Sequence, residues 1–354
     1  MRQHLNTLFV TTEGAWLHKD GANIVVEVDR AEVGRVPVHM MGSVVCFGRV
    51  GMSPPLMGHC AESGIAISFL SEYGKFLARV EGPRSGNVLL RRRQYRAADE
   101  PAACLPIAAA IIAAKAANQR AVLRRALRDY GAALAASDGT GLAKPDGARL
   151  DDAQRRLGDV ARRAAASTDL DQARGHEGDG ANAYFGVFDL LIRRPEPEFR
   201  FTGRNRRPPL DATNALLSFL YAILGHDCRS ALETVGLDPQ VGFLHRDRPG
   251  RASLALDLME EFRPILADRV ALTLINRQQL APKDFRQMEG GAVLIQDDAR
   301  KLVLTAYQER KKDMILHPFL NEKVSLGLIP HIQAQLLARH LRGDLDGYPP
   351  FLWK

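Results

Sequence analysis

Pro106-Ile107-Ala108-Ala109-Ala110-Ile111-Ile112-Ala113-Ala114-Lys115-Ala116-Ala117-Asn118-Gln119-Arg120 divides the chain into two textures. The run continues to Tyr130 as an alanine-rich amphipathic helix, with Lys115, Arg120, Arg124, Arg125 and Arg128 as its polar complement. Before it, residues 1 to about 90 read as strands. Leu8-Phe9-Val10-Thr11-Thr12, Ala15-Trp16-Leu17-His18 and Ile24-Val25-Val26-Glu27-Val28 are short and β-branched, with turn signals such as Lys19-Asp20-Gly21 between them. Val44-Val45-Cys46-Phe47 and Ile65 to Leu70 read as buried strands. The segment Ser53 to Gly64 between them reads as a short helix, capped by Ser53 and ended by Gly64.

After it, helical patterning dominates. Leu150–Ala166, Gly180–Leu191, Asp211–Gly225, Leu254–Arg269, Lys301–Leu316 and Leu328–Leu341 all read as helices. Gly131 to Asp146 carries loop signals, and Pro195 to Pro209 is a basic loop holding Arg200, Arg204, Arg206 and Arg207. The fold class is α+β: a small N-terminal β-rich domain, residues 1–90, followed by a larger all-α domain, residues 91–354. A chain of 354 residues is long enough to give each its own core.

Net charge is +7 and pI about 9.4, which favours an anionic partner without naming it. Between Lys75 and Arg128 stand 12 Lys/Arg against three Asp/Glu, densest at Arg91, Arg92, Arg93 and Arg96 around Tyr95. That stripe fits phosphate-backbone contact, and equally a solvated helix face. The four cysteines form no CxxC pair, so reduced core thiols are expected, not a disulfide frame or a zinc ribbon. Met1 to Val10 lacks the apolar region of a signal peptide. Pro106–Ala114 is too short for a membrane span, so a cytoplasmic protein with no membrane partner is expected. No Walker loop or dinucleotide fingerprint follows a strand.

Four residues carry candidate chemistry. Glu177 stands in Arg174-Gly175-His176-Glu177-Gly178, just ahead of a helical stretch, and His245 follows the turn Val241-Gly242-Phe243-Leu244. Asp257 and Glu260 are three apart, on one face of a helix, whereas Glu261 points about 100° away and reads as surface. Carboxylates with one imidazole suit Mg²⁺ or Mn²⁺ better than Zn²⁺. Spacing alone does not bring the four together.

Longer stretches supply more. Gly34-Arg35-Val36-Pro37-Val38-His39, Leu77-Ala78-Arg79-Val80-Glu81-Gly82 and Gly86-Asn87-Val88-Leu89-Leu90-Arg91 come in order with Arg206-Arg207-Pro208-Pro209-Leu210-Asp211-Ala212-Thr213-Asn214-Ala215-Leu216-Leu217-Ser218-Phe219 and the segment His245 to Pro264. In these the chain resembles the CRISPR-associated adaptation endonuclease-integrase, most closely members from type I systems. The resemblance implies that Glu177, His245 and Glu260 ligate Mg²⁺ or Mn²⁺, with Asp257 as an auxiliary catalytic carboxylate. It makes His176 structural. It also implies a dimerising β domain, a linker near residues 85–100 and a catalytic helical domain.

By the same resemblance the partners are double-stranded DNA (spacer precursor and CRISPR repeat), a second copy of the chain, and a small ferredoxin-like adaptation protein that completes a heterohexamer. A trimming nuclease is a further partner. The reaction implied is attack of a DNA 3′-hydroxyl on a phosphodiester, inserting a new spacer. Arg91, Arg92, Arg93, Arg204, Arg206, Arg207, Arg246, Arg248 and Arg251 are candidates for DNA contact, since guanidinium forks match phosphate oxygens. Asn214 and Ser218, four apart on one helix face, are candidates for supporting hydrogen bonds, helix packing being the other reading. Two other functions stay open: a metal-dependent nuclease acting on branched DNA in repair, and a catalytically silent DNA-binding scaffold.

Overall fold

The structure, a computed structural model, describes residues 6–72, 74, 76–82, 87–135 and 146–353. Among the described residues, eight strands and one α-helix build the β-rich part: β1 (Asn6–Val10), β2 (Trp16–Asp20), β3 (Asn23–Val28), β4 (Ala31–Pro37), β5 (Met41–Phe47), β6 (Gly51–Met52), α1 (Pro54–Glu62), β7 (Ala66–Leu70) and β8 (Phe76–Val80). They form two four-stranded sheets, ordered β1-β5-β7-β8 and β4-β3-β2-β6. β1, β5 and β7 run parallel, and β8 returns antiparallel as an edge. As the sequence suggests, Ser53 caps α1, accepting from Leu56 N–H, and Gly64 follows the helix at φ +70°.

Both faces of β5 are buried, which explains its unbroken apolar run. Val44 and Cys46 face a small core with Leu17, Ile24, Leu56 and Ile67, while Val45 and Phe47 face the helical part.

That part comprises α2 (Val88–Asp99), α3 (Pro101–Ala135), α4 (Asp146–Ala165), α5 (Leu170–Phe185), α6 (Ala212–Val235), α7 (Ser253–Glu260), α8 (Arg269–Asn276), α9 (Asp297–Lys312) and α10 (Ile329–Arg342). The stretch expected as a linker is mostly α2. Leu90, Gln94 and Ala97, at helical spacing, are buried against the rest of the molecule. The helical part is mostly rather than entirely α, because β9 (Phe285–Gln287) pairs with β10 (Val293–Ile295), and β11 (Met314–Leu316) with β12 (Lys323–Ser325). Gly131–Ala135 continue α3, and the turn signals at 137–145 lie outside the described residues. The helix expected over Leu254–Arg269 is broken: α7 ends at Glu260, and Arg263–Asp268 forms a π-helical turn before α8. Pro264 sits in that turn, where it cannot donate to a regular ladder.

Contrary to expectation, α3 is long and apolar enough over Pro101–Tyr130 to cross a membrane by length and composition, but more than half of that window is buried inside the protein. Leu157 on α4 and Val160 pack onto α5 at Gly180, where an added Cβ would lie 3.2 Å from the Val160 Cγ1. That close approach fixes α5 one turn after Glu177.

The two parts are tied together. Phe47 packs on Phe219 of α6 with ring centroids 5.9 Å apart, and Ser68 Oγ meets His226 Nδ1 at 3.0 Å. Arg79 on β8 pairs with Glu233 on α6. All four cysteines are free and buried, and burial pushes the Cys46 thiol up to about 12.

Leu157 is fully buried among the helices, so Leu157→Ala should cost about 2–5 kcal/mol by leaving a cavity. Denaturant unfolding of the variant measures it; a loss below about 1 kcal/mol would mean the α4–α5 contact closes over the missing side chain.

Candidate active site

Three helices converge at one cation. Lys115, buried midway along α3, donates to Glu177 on α5, and its Nζ lies 2.8 Å from Glu260 Oε2 at the end of α7. Arg263 NH2 reaches the other oxygen of Glu260 at 3.2 Å. Glu260 is almost wholly buried; burial favours its neutral form, but Arg263 and Lys115 outweigh that and hold its pKa down, at about 2. Burial likewise opposes the charge on Lys115, and Glu260 and Glu177 outweigh it, raising its pKa. Glu260 Oε2 has charge attraction to Lys115 but no well-directed hydrogen bond.

Glu177 lies in the middle of α5, not at a helix start. The helix begins at Leu170, where Asp169 accepts from Gln172 N–H at 2.8 Å and the Gln172 side chain accepts from Thr168 N–H at 2.8 Å. Asp169 is the N-cap, and Gln172 reaches back to the residue before it. The Glu177 side chain is 31% exposed, so the pair it forms with Lys115 is open to solvent on one side. His176 beside it is half-buried.

His245 is built by Asp257. One Asp257 oxygen accepts from Phe243 and Leu244 N–H at 2.7 and 3.0 Å; the other accepts from His245 N–H at 3.0 Å and meets His245 Nδ1 at 2.6 Å. Four bonds saturate the carboxylate. Donation from Nδ1–H leaves the His245 Nε2 lone pair free for a ligand. Gly242 makes the turn possible, since a Cβ there would stand 2.7 Å from Asp257 Oδ2. Gln94 of α2 anchors the same loop, donating to Asp238 and Val241 carbonyls at 2.8 Å each.

Among the described residues no three His, Cys, Asp or Glu side chains lie close enough to hold a metal as they stand. Glu177 and Glu260 nevertheless share a cation, and Glu260 keeps one buried oxygen without a directed hydrogen bond. Together with the free Nε2 of His245, that donor set suits a hard divalent ion. Asp257 has no oxygen to spare.

The arginines separate into groups. Arg206, Arg207, Arg248 and Arg251 line a cleft of about 780 Å³ together with His245, Arg263 and Phe76 of β8. Arg204 turns inward instead. It donates to Asn214 Oδ1 at 2.7 Å and Ser218 Oγ at 3.1 Å and lies over the Tyr221 ring, with Arg263 over the same ring at 4.7 Å. Asn214 and Ser218 thus both accept from Arg204, and their side chains bond the loop before α6 and not Glu177 or Glu260. Arg246 is exposed and pairs with Asp171, whose pKa is lowered by hydrogen bonds from Arg174 and Arg246. Arg92 and Arg93 face a separate groove between α2 and α10, away from the cleft, and Arg91 lines a third pocket together with Glu81 and Glu233.

Sequence reading missed two residues. Lys115 reads as the polar side of an amphipathic helix, but it is buried between the carboxylates; a single cation interrupting an alanine run was the only signal. Glu261 is not on the surface: it is fully buried, accepts from Tyr348 O–H and Phe351 N–H, and burial pushes its carboxyl up to about 7. The helical phase relative to Glu260 is as expected, but the far side of α7 is covered by residues 348–353.

Lys115→Met removes the cation that offsets two buried or half-buried carboxylates, and should cost about 3–5 kcal/mol in metal-free protein. Calorimetric melting should show Mn²⁺ raising the variant's Tm more than the wild type's; equal shifts would mean Lys115 does not stand where the ion binds. Asp257→Asn places an amide against backbone N–H donors and should weaken Mn²⁺ binding by about ten- to hundredfold in titration calorimetry.

A family model described as CRISPR associated protein Cas1 matches residues 8–309. Over the whole of both chains the sequence is 59% identical to a protein of Rhodospirillum rubrum named CRISPR-associated endonuclease Cas1 2. Among solved structures, a CAS1 protein from Thermotoga maritima superposes with TM-score 0.79 at 22% identity, covering 99% of this chain and 100% of that one. A casposase bound to integration product superposes with TM-score 0.79 at 22% identity, covering 99% and 94%. At that identity the two structures speak for the fold alone.

Proposed function

The chain belongs to the CRISPR-associated Cas1 family, and on that premise we propose that it is a metal-dependent DNA endonuclease-integrase that inserts short DNA fragments into a CRISPR array as new spacers. The observation that carries the reading is the Glu177–Lys115–Glu260 cluster, tied through Arg263 to a cleft of arginines that the oriented imidazole also lines. The name of the Rhodospirillum relative supports the nuclease chemistry.

Glu177, Glu260 and His245 Nε2 would hold Mg²⁺ or Mn²⁺, with the Lys115 ammonium yielding its place. The ion would supply Lewis-acid stabilisation of a phosphate and lower the pKa of an attacking oxygen. This chain's own residues do the rest. Asp257 holds the His245 ring by Nδ1, and Arg263 keeps Glu260 ionised. Arg206, Arg207, Arg248 and Arg251 can grip the flanking phosphates. The 3′-oxygen of the incoming strand bonds to phosphorus as the bond from phosphorus to the target strand's 3′-oxygen breaks, and the proton of the attacking hydroxyl passes to the departing oxygen through solvent. With water as nucleophile the same site cleaves DNA. A second copy of the chain and a small ferredoxin-like adaptation protein complete the machine in this reading.

Incubating the protein with its adaptation partner, a short duplex and a repeat-bearing plasmid, then sequencing the junctions, tests the reaction. Glu177→Ala and His245→Ala should each lower strand transfer by more than about a hundredfold while the chain stays folded, that loss being about 2.7 kcal/mol of barrier. Near-wild-type transfer by His245→Ala would sink the site. Replacing Arg206 and Arg207 together by Ala should reduce the slope of log affinity against log salt by about 2, because each phosphate contact contributes about 0.9. The same change at Arg92 and Arg93 tests whether the groove by α10 also carries DNA.

A further inference from the structure

A buried polar cluster lies behind Glu260 that no step of the proposed reaction uses. Asn118, on α3 one turn after Lys115, donates to the Glu261 carbonyl at 2.8 Å and to the Phe351 carbonyl at 2.9 Å. Its own oxygen accepts from Trp353 N–H at 2.7 Å. Glu261 accepts from Phe351 N–H at 2.7 Å, Tyr348 O–H at 2.6 Å and Gln333 of α10 at 3.2 Å, all neutral donors. The Phe351 ring packs on Phe262 with centroids 6.1 Å apart. Residues 348–353 therefore strap α3 to α7 at points adjacent to the two residues that meet across the site.

We propose that Asn118 and Glu261 are positioning residues: through the segment Tyr348–Trp353 they hold α3 and α7 at the offset in which Lys115 meets Glu260, and so set the affinity of the site for a divalent cation. Asn118 and Glu261 have short reach and directional bonds, and both are fully buried. Any slip of one helix past the other would leave several of these groups without partners, in a place water does not reach. The apolar contacts around them are far more tolerant of such a slip, since dispersion has no direction. Asn118 touches both α7, through the Glu261 carbonyl, and the strap, through Phe351 and Trp353, so the cluster defines one offset. Lys115 is one turn away on the same helix, and Glu260 one residue away on the other.

The inference rests on the metal reading above. Mn²⁺ affinity by titration calorimetry, with Tm alongside, is measured on the full chain for wild type, Asn118→Leu, Glu261→Leu, Glu261→Gln and Ile67→Ala. Asn118→Leu and Glu261→Leu should bind Mn²⁺ at least about tenfold more weakly. Glu261→Gln should stay within about threefold, because its amide oxygen still accepts from Phe351 N–H while Tyr348 O–H can turn to accept. Ile67→Ala loses stability in the β core, remote from the strap, and should bind as wild type does. Unchanged affinity in Asn118→Leu and Glu261→Leu, or an equal loss in Ile67→Ala, overturns the proposal. Should the leucine variants not fold, Tyr348→Phe decides: it deletes one hydroxyl at constant shape, and a loss of about threefold or more supports the proposal where no loss overturns it. Failure of the wild type to bind Mn²⁺ would instead remove the metal reading itself, an outcome distinct from any pattern among the variants.

Discussion

The rest of the structure depends on one ammonium group. Lys115 sits in the middle of a long helix whose neighbouring residues are alanine and isoleucine, and burial there opposes its charge. The charge survives because Glu177 and Glu260 arrive from two other helices. A buried charge left without a partner costs about 3–5 kcal/mol, a large fraction of the net stability of a domain. α3, α5 and α7 must therefore cross where these three side chains meet. Apolar packing brings the helices together, and the ion cluster holds Lys115 and the two carboxylates at the crossing.

Around that cluster, the imidazole is built on a separate principle. Asp257 spends both oxygens on the turn at 243–245, so it works as a template for His245 and not as a free acid. Gln94 holds the approach to the turn from α2, and Gly242 lets the turn lie against α7. Three carboxylates in one neighbourhood thus have three environments: Glu177 half-open beside a cation, Glu260 buried between cations, and Glu261 buried among neutral donors. Burial pushes both Glu260 and Glu261 up, but only at Glu260 do Arg263 and Lys115 outweigh it.

The cleft beside His245 is shared between the two parts of the molecule. β8 contributes Phe76, the loop before α6 contributes Arg206 and Arg207, and the loop before α7 contributes Arg248 and Arg251. Arg204, from the same basic loop, is withdrawn to lie over the Tyr221 ring that Arg263 also meets, linking the loop to the residue that keeps Glu260 ionised. Basic residues close in sequence are thereby divided between structural and open positions.

By itself the sequence determined the order of elements: β-branched runs with turn signals, then amphipathic helices. It also determined the shared face of Asp257 and Glu260 and that of Asn214 and Ser218. Those follow from backbone periodicity, a local property written in a few consecutive residues. Tertiary structure decided the rest. It made Lys115 a buried partner of two acids where the helix pattern offers only a polar side chain. It buried Glu261, whose phase on α7 was legible but whose cover, Tyr348 and Phe351, lies some 90 residues further along the chain. It ended α7 early through the turn at Pro264, made a helix of the stretch that resembled a linker, and sorted the arginines into withdrawn and open. Each of these depends on what lies across from a face, and the partner across a face is set by long-range packing that no local spacing encodes.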